Sequence, residues 1–402
     1  MHEMASPRKF SPRPRTAARL HATHGAVIGL EAEFSLFVNE QRRKPEEVFG
    51  TPAALLGRHR TIPRSGRSVH MASGGALYFD TGVVEVATPV IELERGCGER
   101  ATRCLWEQIA FVREELDAWE KARRETMRLE GFSAHYNVAI PAERQLEPAG
   151  LHQLALLLTY LLPAPIMLLA ANRMSTGVGV RPREDRIEVT VDFTPDEELM
   201  TATAAFIAAV VPAVAMWPEH GIQELAQRGF PRIVGFLPRK HTSRKGFLAR
   251  FDCFPKNPFV TDPNKPEWPL ENGRMASLRQ VALGVARPFR DRLRAVASRE
   301  TVHHVRAVIA GRARSLLDFP QQPSEYRDVR PRETGRRLAQ NVDRSRYERI
   351  IHRLLKHHPI RVASFTYRPE RMVGWFEVVM RNLSTGTRRT FSLEELARHA
   401  GI

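Results

Sequence analysis

The segment AVIGLEAEFSLFV, which begins at Ala26, alternates without a break. Ile28, Leu30, Ala32, Phe34 and Leu36 fall on one side, and Glu31 and Glu33 fall together on the other. Side chains in a strand point to opposite faces in turn, so this pattern predicts a strand with one apolar and one acidic face. Three further segments divide in the same way. In GGALYFDTGVVEVATPV, Tyr78 and Asp80 share a face, Thr81-Gly82 interrupts, and Glu85 follows between valines. In SAHYNVAIP, His135 and Asn137 share a face. In EDRIEVTVDF, Ile187, Val189, Val191 and Phe193 oppose Arg186, Glu188, Thr190 and Asp192.

An antiparallel sheet with one solvated side alternates in this manner, and that is the plainest account of any one of these strands. Solvated faces, however, mix in Lys, Thr, Ser and Gln, and lysine is absent from all of these segments. Carboxylates on adjacent strands repel. Glu31, Glu33, Glu85 and Glu188 together therefore call for a cation. Carboxylate oxygens with at most one histidine and no thiolate suit Mg²⁺ or Mn²⁺ better than zinc. Magnesium joins a few carboxylates to substrate phosphates, so the expected nucleotide is ATP. Arg186, close to Glu188, is placed for a bidentate phosphate contact.

Composition narrows the partners. Lys and Arg number 61 against 45 Asp and Glu, a formal charge of +16, which points to nucleic acid, an anionic membrane surface, nucleotide or an acidic polypeptide. The 43% hydrophobic content excludes a disordered chain. No zinc-finger, RNA-binding or basic-zipper pattern accompanies the arginines, which disfavours a nucleic-acid binder. Cys97, Cys104 and Cys253 form no CxxC pair, which favours a reducing cytoplasm. LHQLALLLTYLLPAPIMLLAAN (151–172) approaches the length of a membrane span, but Pro163 and Pro165 break it, so two short buried helices are expected and no membrane partner.

Along the chain, residues 1–24 read as a flexible basic tail and 25–317 as one catalytic domain. Within it, a helix is expected from about Glu99 to Arg128, another after Asp196, a loop-rich stretch over 218–275 and Arg-rich helix over 276–317. Residues 318–335 read as a linker. The remainder, 336–402, reads as a small C-terminal α/β domain of helix, two strands and helix, with a turn near Ser384–Thr387. Arg58, Arg60, Arg64 and Arg67 precede the Asp80 strand on a loop suited to guiding an acidic tail.

GLEAEF (29–34), GGALYFDTGVVEVATP (74–89), AHYNV (134–138) and RPREDRIEVTVD (181–192) resemble, in order, motifs of the carboxylate-amine ligase superfamily, and most closely those of its Pup ligase and depupylase branch. The resemblance covers about residues 25–200. It departs from that branch at Val90, where an acid is expected, and at Glu188, where the branch tends to have His. It implies an α+β fold of the glutamine synthetase type, a curved and mainly antiparallel sheet backed by helices. It further implies that Glu31, Glu33 and Glu85 hold Mg²⁺ with Tyr78 nearby, that His135 and Glu188 complete the ligands of a second metal ion, and that Asn137, Arg183 and Arg186 meet nucleotide phosphates. Asp80 would deprotonate an attacking amine in a ligase, or activate water in the reverse hydrolysis. The bland alternatives are a turn role for Asp80 before Thr81-Gly82 and a core role for His135.

The expected activity is thus ATP- and Mg²⁺-dependent joining of a carboxylate, on an acidic peptide or small protein modifier, to an amine-bearing substrate, or the reverse cleavage. A small-molecule ligase of the glutamate-cysteine type is the alternative.

Overall fold

The computed structural model describes residues 26–318 and 343–400, apart from positions 58, 60, 65–67, 72, 142, 145, 242–244 and 357. The expected tail, all but the first residue of the expected linker, and Arg58, Arg60 and Arg67 lie outside the described residues.

The alternating segments are strands of one antiparallel sheet. β1 (Val27–Val38) lies at its centre. On one side β1 pairs with the hairpin of β2 (Ala76–Asp80) and β3 (Val83–Ala87), and on the other with β4 (Met127–Ala139). Beyond β4 come β6 (Arg186–Val191) and then β5 (Val178–Pro182), so the spatial order is β5-β6-β4-β1-β3-β2. Four short strands extend the two edges, and two more pair with β1 itself, to make a sheet of 12.

The apolar face of this sheet is the core. Ile28, Leu30, Ala32, Phe34 and Leu36 are at most 1% exposed. They pack beneath α1 (Cys97–Arg123) and α4 (Glu197–Ala215), with Trp106 of α1 and Phe34 both edge-on to Phe193 at 5.9 and 5.2 Å. The apolar run at 151–172 forms α2 (Pro148–Leu161) and α3 (Pro163–Ala170), bent by 61° at the prolines as expected. α4 is long and apolar enough to cross a membrane, but 83% of its most apolar window is buried inside the fold, where it serves as a core helix.

Two local features differ from or add to the expected pattern. The first helix ends at Arg123, not Arg128, because Arg124 turns left-handed (φ 59°) and the apolar spacing changes to period two at Met127 and Leu129. Second, β4 changes parity part-way. Its buried apolar side chains are Met127 and Leu129 before a bulge and Ala134, Tyr136 and Val138 after it. The pairing with β1 shifts there, Glu33 facing Ser133 and Phe34 facing Gly131, so Phe132 is the extra residue. Without that insertion His135 and Asn137 would point into the core.

The C-terminal part comprises α5 (Arg346–Leu355), a four-stranded antiparallel sheet and α6 (Leu393–Ala400). It has two more strands than expected. Ile360–Val362 precedes β7 (Phe365–Val373) and β8 (Glu377–Asn382), and the turn at 384–387 leads to Arg388–Ser392. Ser345 and Glu348 start α5 with a reciprocal capping box. This unit has its own apolar core, which Val27 and Ile62 of the large sheet and the neighbouring Val90 join. Glu348 also pairs with Arg103 on α1, with the Cys104 thiol 3.0 Å away. The C-terminal unit is thereby fixed beside the polar face.

Gly131 marks where the bulge is packed. A Cβ there would meet the Phe193 ring at 2.5 Å. Gly131→Ala should therefore cost about 1–3 kcal/mol by overpacking, read as a lower denaturant midpoint with an unchanged m-value. An unchanged midpoint would show that the bulge relaxes freely.

Candidate functional site

Strand register assembles the polar residues in one row. Tyr78 faces Glu85, Glu85 faces Glu33, and Glu33 faces Ser133. One step along β1, Glu31 faces His135 and His135 faces Thr190. At the next, Gly29 faces Asn137, Asn137 faces Glu188 and Glu188 faces Arg181. The polar row, staggered in three steps along β1, therefore reaches across six strands from Tyr78 to Arg181, with Ala87 opposite Glu31 as an apolar member of it. Glu33, Glu85, His135, Asn137 and Glu188 are all buried, between 2% and 9% exposed.

Two groups of side chains converge closely enough to share a cation: Glu33, Glu85 and His135, and Glu31, His135 and Glu188, each with ligand atoms within 4.8 Å of one another. They differ in charge balance. Glu85 receives a hydrogen bond from the Tyr78 hydroxyl at 2.8 Å. Even so, burial, followed by the charges of Glu31 and Glu33, pushes its carboxyl up to about 9. That group carries more acid than its surroundings neutralise, and a divalent cation fits it. In the second group, burial alone would raise Glu31, but hydrogen bonding and charge from His135, with Arg186 beyond, hold it down to about 2. Asn137 donates to Glu31 at 3.2 Å and accepts from Arg186 at 2.9 Å. Glu188 is met at both oxygens, by Arg181 at 2.7 Å and Arg183 at 2.6 Å. Its charge is already balanced.

Tyr78 stays protonated, because burial and the charges of Glu31 and Glu85 drive its hydroxyl well above the ordinary tyrosine range. Asp80 is half-buried at the end of β2, on the face of Tyr78, and has no hydrogen-bond or ion-pair partner among the described residues. It flanks a two-residue turn in which Thr81 (φ 49°) and Gly82 (φ 89°) are both left-handed, the type I′ geometry of tight hairpins. Turn and site roles thus coincide. The hairpin aims Asp80 at the rim of the acidic cluster, where its charge adds to the pressure on Glu85.

A cavity of about 360 Å³ opens where the row meets the C-terminal unit. Glu31, Asn137, Asp185 and Arg186 line its polar end, and Val373–Glu377, the turn between β7 and β8, lines the other with Trp375 and Phe376. Arg64, the one described arginine of its loop, lies 3.7 Å over the Trp375 ring and donates to the Gly374 carbonyl at 3.3 Å. Buried His70 stands edge-on to the same ring at 5.7 Å.

All ten residues singled out in the sequence lie on this face or at its end. Arg183 is turned toward Glu188 rather than to the cavity. The sequence reading missed Arg181, Trp375 and Arg64's anchorage. Arg181 was legible as the same-face partner of Glu188 once a strand was drawn through 178–182. Trp375 was not, since its role depends on how the C-terminal turn docks.

The charge imbalance at Glu85 makes a stability prediction for cation-free protein. A carboxyl raised from 4.5 to about 9 favours folding below its unfolded value and loses that advantage as pH rises toward 9. In EDTA, Glu85→Gln should therefore melt above the parent at pH 8, with the gap closing near pH 5. A lower melting temperature for the variant at pH 8 would contradict the imbalance.

No family model and no curated protein matches the chain. Among solved structures, the Pup ligase PafA in complex with the prokaryotic ubiquitin-like protein Pup superposes with a TM-score of 0.54 at 11% identity, over 94% of this chain and 92% of that one. The structure of the Pup ligase PafA with ADP aligns over 100% and 97% at 10% identity, with a TM-score of 0.45. At these identities the likeness is one of fold. The antiparallel sheet, the helices behind it and the small C-terminal unit are thus the glutamine synthetase-like fold of the Pup ligase PafA.

Proposed function

We propose that this chain is an ATP-dependent carboxylate-amine ligase of the Pup ligase type, acting on the carboxylate of an acidic peptide or small protein modifier. The observation that carries this reading is the polar row across six strands, ending in a cavity of nucleotide size, on the fold shared with the Pup ligase.

The cavity's two ends divide the work. Trp375 and Phe376 offer aromatic surface to a base, while Asn137 and Arg186 stand at the polar end for the phosphates. Arg186 spends Nε on Asn137 and Nη1 on Asp185, which leaves Nη2 free among the described residues for a phosphate oxygen. Arg181 and Arg183, held by Glu188, extend this positive edge. Magnesium held by Glu33, Glu85 and His135, with Glu31 beside them, would supply charge neutralisation for phosphoryl transfer.

The step assigned to Asp80 follows transfer of phosphate to the substrate carboxylate. The amine attacks the acyl carbon, a C–N bond forms, the C–O bond to phosphate breaks, and Asp80 accepts the amine's proton. Among the described residues no cation pairs with Asp80, so its carboxylate is open to the incoming amine. The surplus of cations over the molecule favours an acidic modifier and an anionic nucleotide alike.

ATP with Mg²⁺ should raise the melting temperature, by the equivalent of about 2.7 kcal/mol at a hundredfold excess over Kd. Gly29→Leu, which projects into the cavity, should remove the shift. No shift in the parent at millimolar nucleotide would end the nucleotide reading. Asp80→Asn should lower turnover by about 10²–10⁴-fold with the nucleotide shift intact, and unchanged turnover would reduce Asp80 to a turn residue. Mass spectrometry after incubation with ATP, Mg²⁺ and acidic-tailed peptides distinguishes ligation, which adds the peptide mass less water, from cleavage.

A further inference from the structure

A second cleft, of about 560 Å³, lies away from the acidic face and is lined by Arg95, Arg294, Arg299, His303 and Arg306 with Ala297 and Val302. Three chain segments bring these cations together. Arg95 precedes α1, Arg294 belongs to the helix Arg290–Val296, and the others to the helix Arg299–Ile309. On that last helix Arg299, His303 and Arg306 stand at i, i+4 and i+7, which turns them to one side of the helix, across the cleft from Arg95 and Arg294. Both α1 and the helix Arg299–Ile309 pack on α4, and α1 covers the apolar side of the sheet. The cleft therefore opens on the helical side of the molecule.

Its charge is nearly unopposed. Among the described residues, the acid paired with any of these side chains is Asp291, 3.2 Å from Arg294 and itself 84% exposed. By contrast, Arg100 is paired with Glu94, Arg113 with Asp117 and Glu120, and Arg279 with Asp318. Arginines that converge on a concavity without acids repel one another, and an anion in the concavity relieves this. An extended polymer wants a stripe of cations along a surface, whereas these surround a depression of small-molecule size.

We propose that this cleft is a binding site for a compact polyphosphate group, recognised by the guanidinium forks of Arg95, Arg294, Arg299 and Arg306. It is independent of the nucleotide cavity and of the ligase reading.

Calorimetric titration of inorganic tripolyphosphate into the full-length protein, in EDTA and at physiological ionic strength, tests the site. All the arginines concerned are exposed, so their glutamine variants should fold as the parent does, which circular dichroism checks. Binding should weaken about tenfold for each arginine lost in Arg299→Gln and Arg299→Gln/Arg306→Gln, and persist in Arg186→Gln. A nucleoside triphosphate in place of tripolyphosphate identifies the source: tighter binding marks a nucleotide and equal binding a free polyphosphate, and both uphold the site. The proposal falls if the double variant binds as the parent does, or if binding disappears in Arg186→Gln alone. It also falls if tripolyphosphate fails to bind while single-stranded RNA binds through Arg299 and Arg306, which would make the face a polynucleotide surface.

Discussion

Glu33 and Glu85 face each other on adjacent strands, both buried, with Glu31 on the next site-facing position of β1. Like charges in direct register weaken a sheet, and burial deepens the cost. The remainder of the polar face is arranged around that conflict. Tyr78 donates to Glu85, His135 lies between Glu31 and Glu33, and Asn137 links Glu31 to Arg186. Even so, the compensation is uneven. At Glu31 the cations prevail and the carboxyl is held down, while at Glu85 they do not and it is driven up. A fold that retains such an acid at its centre is prepared for a ligand that brings positive charge.

Geometry sets where that ligand's partners enter. The β4 bulge moves His135 and Asn137 to the polar side, and the tight turn at Thr81-Gly82 presents Asp80 at its rim. The C-terminal unit, anchored through Arg103 and Glu348, lays Trp375 across the other end of the row. One sheet face thus holds an acidic centre, a cationic edge around Arg186 and an aromatic wall.

Much of this was legible in residue order alone. Period-two alternation placed Glu31, Glu33, Glu85, His135, Asn137 and Glu188 on one face, because parity in a strand is a local property. The prolines at 163 and 165 announced the bend in the apolar run for the same reason. What escaped was non-local. Register, which sets Glu33 against Glu85, depends on turns and bulges. The parity change at Phe132 was visible in MRLEGFSAHYNVA, yet the helix was extended through Met127 because its charged spacing continued. The engagement of Glu188 by two arginines, and Trp375 against Arg64, arise from docking of segments far apart in the chain.

The central claim is that the acidic row is built to hold a divalent cation, and the most direct measurement is a Mn²⁺ titration followed by electron paramagnetic resonance, which counts free ion as it is taken up. The account predicts that the parent protein binds Mn²⁺ and that Glu33→Gln/Glu85→Gln loses at least one equivalent, while Glu188→Gln, whose charge the arginines already balance, changes uptake less. Identical Mn²⁺ uptake by the parent and Glu33→Gln/Glu85→Gln would contradict it.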